Sequence, residues 1–256
     1  MTVSADPATA GDRPQNNLLR ALRPNDYALI AAALEAADYP ARRLLYNPGD
    51  HVGTVYFPCG ASLVSYLVTN EDGRDVETML VGREGAVGGI VSHGNLPAYS
   101  RMIVQFGGPF AHLRLDVLEA AKSQSASLSR MFARYADCIL AQMVQTAACN
   151  ATHSIEQRTA KWIVSAMERT GDNIVPLTQE QLAAMLGVGR SYASRVIQTF
   201  RREGLLETRR GSLLVTNKDA LAAKACLCNE QVKEHFETVL SGVYPAEEDA
   251  PQAASG

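Results

Sequence analysis

Between positions 190 and 198 the chain carries a run of side chains suited to reading another molecule: Arg190, Ser191, Tyr192, Ser194, Arg195 and Gln198. Arginine presents a rigid fork of donors, and serine and glutamine both donate and accept, which is the repertoire that matches base edges. The residues between them, Ala193, Val196, Ile197 and Phe200, recur at i, i+3, i+4 and i+7. That period predicts a helix with one packing face and one donor-rich face, the form in which a helix enters the major groove of DNA. Arg209 and Arg210 follow beside Gly211, between two runs of strand-forming residues. Such a hairpin is a wing whose arginines would meet phosphates, fixing position without specifying sequence.

The elements that must hold these groups are legible around them. Thr178-Gln179-Glu180-Gln181 is a capping box, in which Thr178 accepts from a backbone N–H and Gln181 reaches back. Leu182, Met185 and Leu186 give the helix it starts an apolar face, Gly187 stops it, and Val188-Gly189 turns the chain into the second helix. Thr178 and Gln179, at the head of the first helix, join the candidate interface.

Charge is distributed to suit this reading. The 256 residues carry a net charge of −3, too little to coat nucleic acid generally. Yet six arginines stand against two glutamates from Arg190 to Arg210, a local +4 that leaves −7 for the remainder. A basic patch on an acidic body fits a single phosphate-docking surface. The length suits two modest domains or one large one, and a composition 46% hydrophobic and 20% charged supports a buried core. The five cysteines (Cys59, Cys138, Cys149, Cys226 and Cys228) are odd in number and scattered, which does not suggest a disulfide framework. The polar start lacks a signal-peptide core, and no apolar run approaches the roughly 20 residues of a membrane helix, so the expected location is the cytoplasm.

Read in order, residues 1–16 lack periodicity and are expected to be a disordered leader. Asn17 to Ala36 is helical in pattern, interrupted at Pro24-Asn25. From Ala41 the texture becomes short strands: Arg43–Tyr46, Val52–Phe57, Ser62–Val68, Val76–Val81, Arg101–Phe106 and Phe110–Leu115. No crossover helix separates them, which predicts an antiparallel sandwich or roll over 17–115. Asp116 to Ala148 contains neither Pro nor Gly and reads as one long helix, with a seam at Leu128, Met131, Tyr135, Cys138, Ile139, Gln142 and Met143. Residues 150–154 break it as a hinge, and Ile155–Arg169 forms a further helix with Trp162 as a core anchor. Residues 150–217 thus make the winged helix-turn-helix domain, and 218–256 a helical extension with a disordered tail.

The run from Leu182 to Val196, with its turn glycines and both arginines, resembles the helix-turn-helix of the Crp/Fnr transcription regulators. Asn47-Pro48-Gly49-Asp50, Val55-Tyr56-Phe57-Pro58, Asp72-Gly73 and Gly82-Arg83-Glu84-Gly85 are similar to that family's cyclic-nucleotide-binding-type roll. The resemblance covers about residues 17 to 217 and implies an α+β fold. Its parts are an N-terminal antiparallel, jelly-roll-like β-roll, a long dimerisation helix over 116–149, and a C-terminal winged helix-turn-helix. It further implies base reading by Arg190 and Arg195, although the family's usual glutamate after the first arginine is here Ser191. The seam of the long helix would pair with its twin across a two-fold axis, the alternative being that it packs on its own roll. The expected function is that of a homodimeric, sequence-specific transcription regulator of double-stranded DNA at a palindrome, meeting RNA polymerase if it activates. A small-molecule-binding module whose winged helix contacts protein is the alternative.

The resemblance also implies a ligand site. Relatives that bind cyclic AMP hold its phosphate on a short helix N-terminus and an arginine-serine pair, and its ribose on a glutamate. In this chain Gly89 stands at the glutamate position and the pair is reversed to Ser100-Arg101. Losing a charged hydrogen-bond partner removes roughly 1.5–3 kcal/mol, one to two decades of affinity, which argues against cyclic AMP. An unidentified anionic effector held by Glu84, Gly88, Gly89, Ser100 and Arg101 is one expectation, and a purely structural roll is the other. No cofactor or metal is expected: the histidines form no local ligand cluster, and Cys226 and Cys228, two apart on a presumed helix, would not share a face. No nucleophile or phosphate-loop motif supports an enzyme.

Overall fold

The computed structural model describes residues 13–73, 75–90 and 96–241. Two short helices, α1 (Asn17–Ala21) and α2 (Pro24–Ala31), lead into seven strands: β1 (Glu35–Tyr39), β2 (Leu44–Tyr46), β3 (Thr54–Pro58), β4 (Leu63–Thr69), β5 (Asp75–Val81), β6 (Arg101–Phe106) and β7 (Gly108–Arg114). They form two antiparallel sheets, in the orders β1-β7-β3 and β2-β6-β4-β5. This is the expected roll. Tyr39, Tyr46, Val64, Val81, Val104 and Phe110 fill the space between the sheets. The other side of β3 and β7 (Val55, Phe57, Ala111 and Leu113) packs on helices, so this sheet is covered on both faces.

Several sequence expectations change here. Glu35 and Ala36, read as the end of a helix, open β1, where they pair with His112 and Ala111. The leader lies outside the described residues as far as 12, but its last four residues are structured. Buried Arg13 donates from Nη1 to the Leu19 and Leu22 carbonyls, at 3.1 and 2.6 Å. Asn16 caps α1 and donates to Pro58 O and Gly85 O, both at 2.8 Å, tying the helix to the roll. The tail from 242 onward lies outside the described residues.

The long helix is two helices, α3 (Leu115–Gln124) and α4 (Ala126–Thr152), broken at Ser125. Ser125 is extended, and its hydroxyl accepts from Leu128 N and donates to Asp26 of α2, which Ser127 also bonds. A capping serine with a buried carboxylate partner outweighs the unbroken helical pattern around it. The helix also continues to Thr152, past the expected limit at 149. Ser154 then caps α5 (Ile155–Thr170) in a second capping box with Gln157, so the hinge narrows to His153 and Ser154.

The remainder follows the expected order: β8 (Ile174–Val175), α6 (Gln179–Leu186), α7 (Arg190–Arg202), β9 (Leu206–Arg209) and β10 (Ser212–Val215). The three strands form one small antiparallel sheet, in the order β8-β10-β9. The extension is two helices, α8 (Lys218–Lys224) and α9 (Cys228–Val239). Ala225 ends α8 in an extended conformation, so Cys226 and Cys228 straddle a helix junction rather than sharing one helix. Helical spacing therefore does not keep their sulfurs on different faces, contrary to the expectation from the sequence.

α9 folds back along α4. Val232, Phe236 and Leu240 enter the same core as Leu128, Phe132, Tyr135 and Cys138, with Phe236 edge-on to Tyr135 at 6.4 Å. Removing a buried phenylalanine costs about 3–5 kcal/mol, so this contact is a substantial part of what fixes α9. A second core joins Leu63, Leu80 and Phe106 of the roll to Trp162, Ile163, Leu182, Ile197 and Phe200 of the C-terminal domain.

Candidate nucleic-acid interface

The C-terminal unit is built outward from that second core. Thr178 Oγ1 accepts from Gln181 N at 3.1 Å, and Gln181 Oε1 accepts from Thr178 N at 2.9 Å, which starts α6. Gly187 ends it in the left-handed region (φ 67°), which glycine enters without steric cost. Ala193, Val196, Ile197 and Phe200 bury the inner face of α7. Arg190, Ser191, Tyr192, Arg195 and Gln198 are exposed on the outer face. Ser194 is half-buried and donates from Oγ to Gln179 Oε1 at 2.7 Å, pinning α7 to the head of α6. Arg195 lies over the Tyr192 ring at 5.3 Å, which presents guanidinium and ring together. No side chain caps α7 at Gly189. Its first N–H groups thus face outward with the helix dipole behind them.

The wing follows α7 directly along the chain. β9 and β10 pair from Leu206↔Val215 to Ser212↔Arg209, and the turn Arg210-Gly211 has Gly211 at φ 75°. Arg209 and Arg210 are both exposed at the tip. The structure thus brings together Arg190, Ser191, Tyr192, Arg195 and Gln198 on one helix face, with the wing arginines close along the chain. Thr178 is exposed but committed to its cap, and Gln179 and Ser194 are committed to each other.

The model of the Crp-like helix-turn-helix domain matches residues 157–224. This region is a Crp-like helix-turn-helix domain. No curated protein matches the sequence as a whole. Among solved structures, FixK2 from Bradyrhizobium japonicum is similar at 14% identity with a TM-score of 0.64, covering 75% of this chain and 98% of that one. CLP, the c-di-GMP-responsive global regulator of Xanthomonas campestris, is similar at 17% identity with a TM-score of 0.61, covering 75% and 99%. A CRP-family transcriptional regulator from Thermus thermophilus is similar at 18% identity with a TM-score of 0.60, covering 74% and 96%. At these identities the likeness is one of fold. The chain has the Crp/Fnr-type fold of β-roll, long helix and winged helix-turn-helix, with the Crp-like domain following the long helix.

The roll positions expected to hold a ligand have other partners. Glu84 is buried, and Oε1 accepts from Arg169 Nε of α5 at 2.8 Å and from Gly82 N at 3.0 Å. It ties the roll to the Crp-like domain. Arg101 pairs across the sheet with Asp75 at 2.8 Å. Gly88 has φ 117°, and a Cβ there would stand 2.4 Å from Thr54 O, so this glycine is required for the loop to cross β3. A Cβ on Gly89 would meet Leu115 at 2.7 Å. Ser100 is buried. Packing and internal ion pairs thus engage Glu84, Gly88, Gly89 and Arg101 within the chain.

The expected seam on α4 is likewise turned inward. Leu128, Tyr135 and Cys138 are fully buried in the chain's own core, with Met131 and Ile139 packed beside them. Gln142 donates from Nε2 to Leu80 O at 3.0 Å. Of the seven seam residues, Met143 alone is exposed, and it stands beside Leu140 and Val144, which are 56% and 62% exposed.

Trp162 does more than anchor its own domain. Its Nε1–H donates to Glu77 Oε1 of β5 at 2.5 Å, and its ring meets Phe106 edge-on at 6.4 Å. Glu77 also accepts from Ser65 Oγ at 2.7 Å. Burial pushes the Glu77 carboxyl up to about 7, against the opposing pull of the two hydrogen bonds and of Lys161 and Arg169. Glu77–Trp162 and Glu84–Arg169 are thus two polar struts between roll and Crp-like domain. Neither has a local sequence signal, since each joins residues 85 apart.

Proposed function

We propose that this protein is a sequence-specific DNA-binding transcription regulator, not an enzyme, acting as a homodimer on a two-fold-related site in the cytoplasm. The carrying observation is the outer face of α7: five polar side chains, two of them arginines, exposed on a helix whose inner face is locked into a core. A helix held this firmly can be laid in a major groove without rearranging. The wing arginines would meet the flanking phosphates. Arg190, Ser191 and Arg195 would face bases, Gln198 lies further along the same face, and Tyr192 would hold Arg195 in position.

A two-fold axis is supported by the exposed Leu140, Met143 and Val144 on α4, an apolar stripe of the kind a second copy covers. Two copies related in this way would read half-sites about 34–36 Å apart. The roll would act as the sensor, with Glu77–Trp162 and Glu84–Arg169 as the contacts through which its state biases the Crp-like domain. An anionic effector of the roll would have to compete with Asp75 for Arg101. As an activator, the protein would also contact RNA polymerase.

Selection from random double-stranded DNA with the full chain, followed by sequencing, tests this reading. The expected product is an enriched motif with two-fold symmetry. Absence of any enriched motif at every protein concentration refutes it and favours a winged helix that contacts protein.

A further inference from the structure

Four side chains outside this interface converge where the hinge meets the C-terminal extension. Cys149 and His153 are four residues apart at the end of α4, a spacing that puts them on one helix face. His153 is the C-cap, and its N–H bonds to Cys149 O at 3.0 Å, which holds the two side chains in step. Cys226 lies between α8 and α9, and Cys228 is the first residue of α9. The exposed Leu227 between them points away, so the two sulfurs turn to the same side. All four ligand atoms lie within 4.8 Å of one another, with the three cysteines buried and the histidine half-buried. Cys149 Sγ is 3.5 Å from Cys226 Sγ, and Cys228 Sγ is 3.5 Å from His153 Nδ1.

We propose that Cys149, His153, Cys226 and Cys228 form a tetrahedral zinc site that pins α8 and α9 to the hinge between α4 and α5. The distances discriminate. A tetrahedron with Zn–S of about 2.3 Å and Zn–N of about 2.0 Å has S···S edges of about 3.8 Å and S···N edges of about 3.5 Å. The observed separations fall on that scale, so one ion fits with small side-chain adjustment. A four-iron cluster spreads its ligand sulfurs over separate metal atoms and needs a wider nest. Three thiolates and one imidazole are a closed structural zinc set that leaves no coordination position for a substrate. Soft sulfur donors also disfavour magnesium and calcium.

The surroundings complete the argument. Lys161 Nζ of α5 lies 3.4 Å from Cys149 Sγ. Three thiolates and a neutral histidine around Zn²⁺ carry a net charge of −1, and the ammonium both offsets it and donates to a ligand sulfur. Plain apolar packing of three cysteines would need neither the imidazole nor the lysine. The site joins three parts of the chain: the end of α4, the middle of α5 through Lys161, and the α8–α9 junction. α9 in turn covers the inner face of α4 through Phe236. Binding zinc would therefore stiffen the hinge that sets the direction of the Crp-like domain, and releasing it would loosen that hinge.

The test uses the full chain, purified without a metal-affinity tag. Elemental analysis is expected to give about one zinc per chain. Replacement by cobalt(II) should give the intense visible bands of tetrahedral cobalt and near-ultraviolet thiolate charge transfer. The double variant Cys226→Ser/Cys228→Ser should hold no stoichiometric zinc. Should that variant fail to fold, Lys161→Ala keeps every ligand and is expected to weaken zinc binding roughly ten- to a hundredfold. On the unmodified chain, a strong chelator should release zinc together with three newly reactive thiols. The proposal is overturned by a wild-type chain without stoichiometric zinc, by a Cys149–Cys226 disulfide in the purified protein, by iron with labile sulfide in place of zinc, or by zinc affinity unchanged in Lys161→Ala.

Discussion

Replacing Glu77 by glutamine should remove a pH-dependent load from the contact between roll and Crp-like domain. Burial raises this carboxyl from its ordinary 4.5 to about 7, with the Ser65 and Trp162 hydrogen bonds and the cations of Lys161 and Arg169 acting the other way. The folded state therefore holds the proton more tightly than the unfolded chain. Its contribution is fully present below about 4.5 and is lost as pH rises to about 7. At about 1.36 kcal/mol per tenfold change in proton affinity, that interval corresponds to about 3 kcal/mol. Glutamine keeps an oxygen for the Trp162 N–H and an amide towards Ser65, but has no charge to desolvate. Trp162 is the sole tryptophan, so its emission reports on this contact directly. The wild type should show a fluorescence transition with a midpoint near 7 and lose about 2–3 kcal/mol of urea stability, relative to Glu77→Gln, between pH 5 and pH 8. Parallel stability curves for the two proteins, or a midpoint near 4.5 in the wild type, would refute the reasoning.

Four further outcomes are expected. Arg195→Ala should weaken binding to a selected site by about 1–3 kcal/mol and relax base preference at one position, measured by fluorescence anisotropy on matched and mismatched duplexes; equal losses on all sequences would count against base reading. Arg209→Ala should lower affinity on all sequences and reduce the slope of log K against log salt by about 1; an unchanged slope would take the wing out of phosphate contact. Glu84→Ala strands the Arg169 cation in a buried site and should cost about 3–5 kcal/mol by chemical unfolding, while Glu84→Met with Arg169→Met should recover most of it; a loss under about 1 kcal/mol would mean the pair is not the strut described. Val144→Arg should shift the protein towards monomer in light scattering, and a dimer of wild-type stability would place the two-fold contact elsewhere.

The sequence was informative wherever the physics is local. The α7 face, the Thr178 cap, the Gly187 stop and the Arg210-Gly211 turn depend on residues a few positions apart, and each stands where the pattern put it. Six of the seven strands of the roll followed from alternation and turn residues for the same reason, whereas β1 is set by pairing with the distant β7. The single break at Ser125 went unread because its cause, the Asp26 carboxylate, is 99 residues away.

What only the tertiary structure decided are the choices between partners. An apolar stripe on α4 states that something must cover it, but not whether that is a twin helix or the chain's own α9. Folding brings Phe236 to Tyr135 and leaves Leu140 and Val144 outside instead. Arg101 and Glu84 are suited to a ligand by type, yet Asp75 and Arg169 reach them first. Cys149 and Cys226 stand 77 residues apart and face each other because two helices end at one place. Residue type and spacing fix what a side chain is able to do, whereas its partner is fixed by long-range packing, which leaves no periodic trace in the chain.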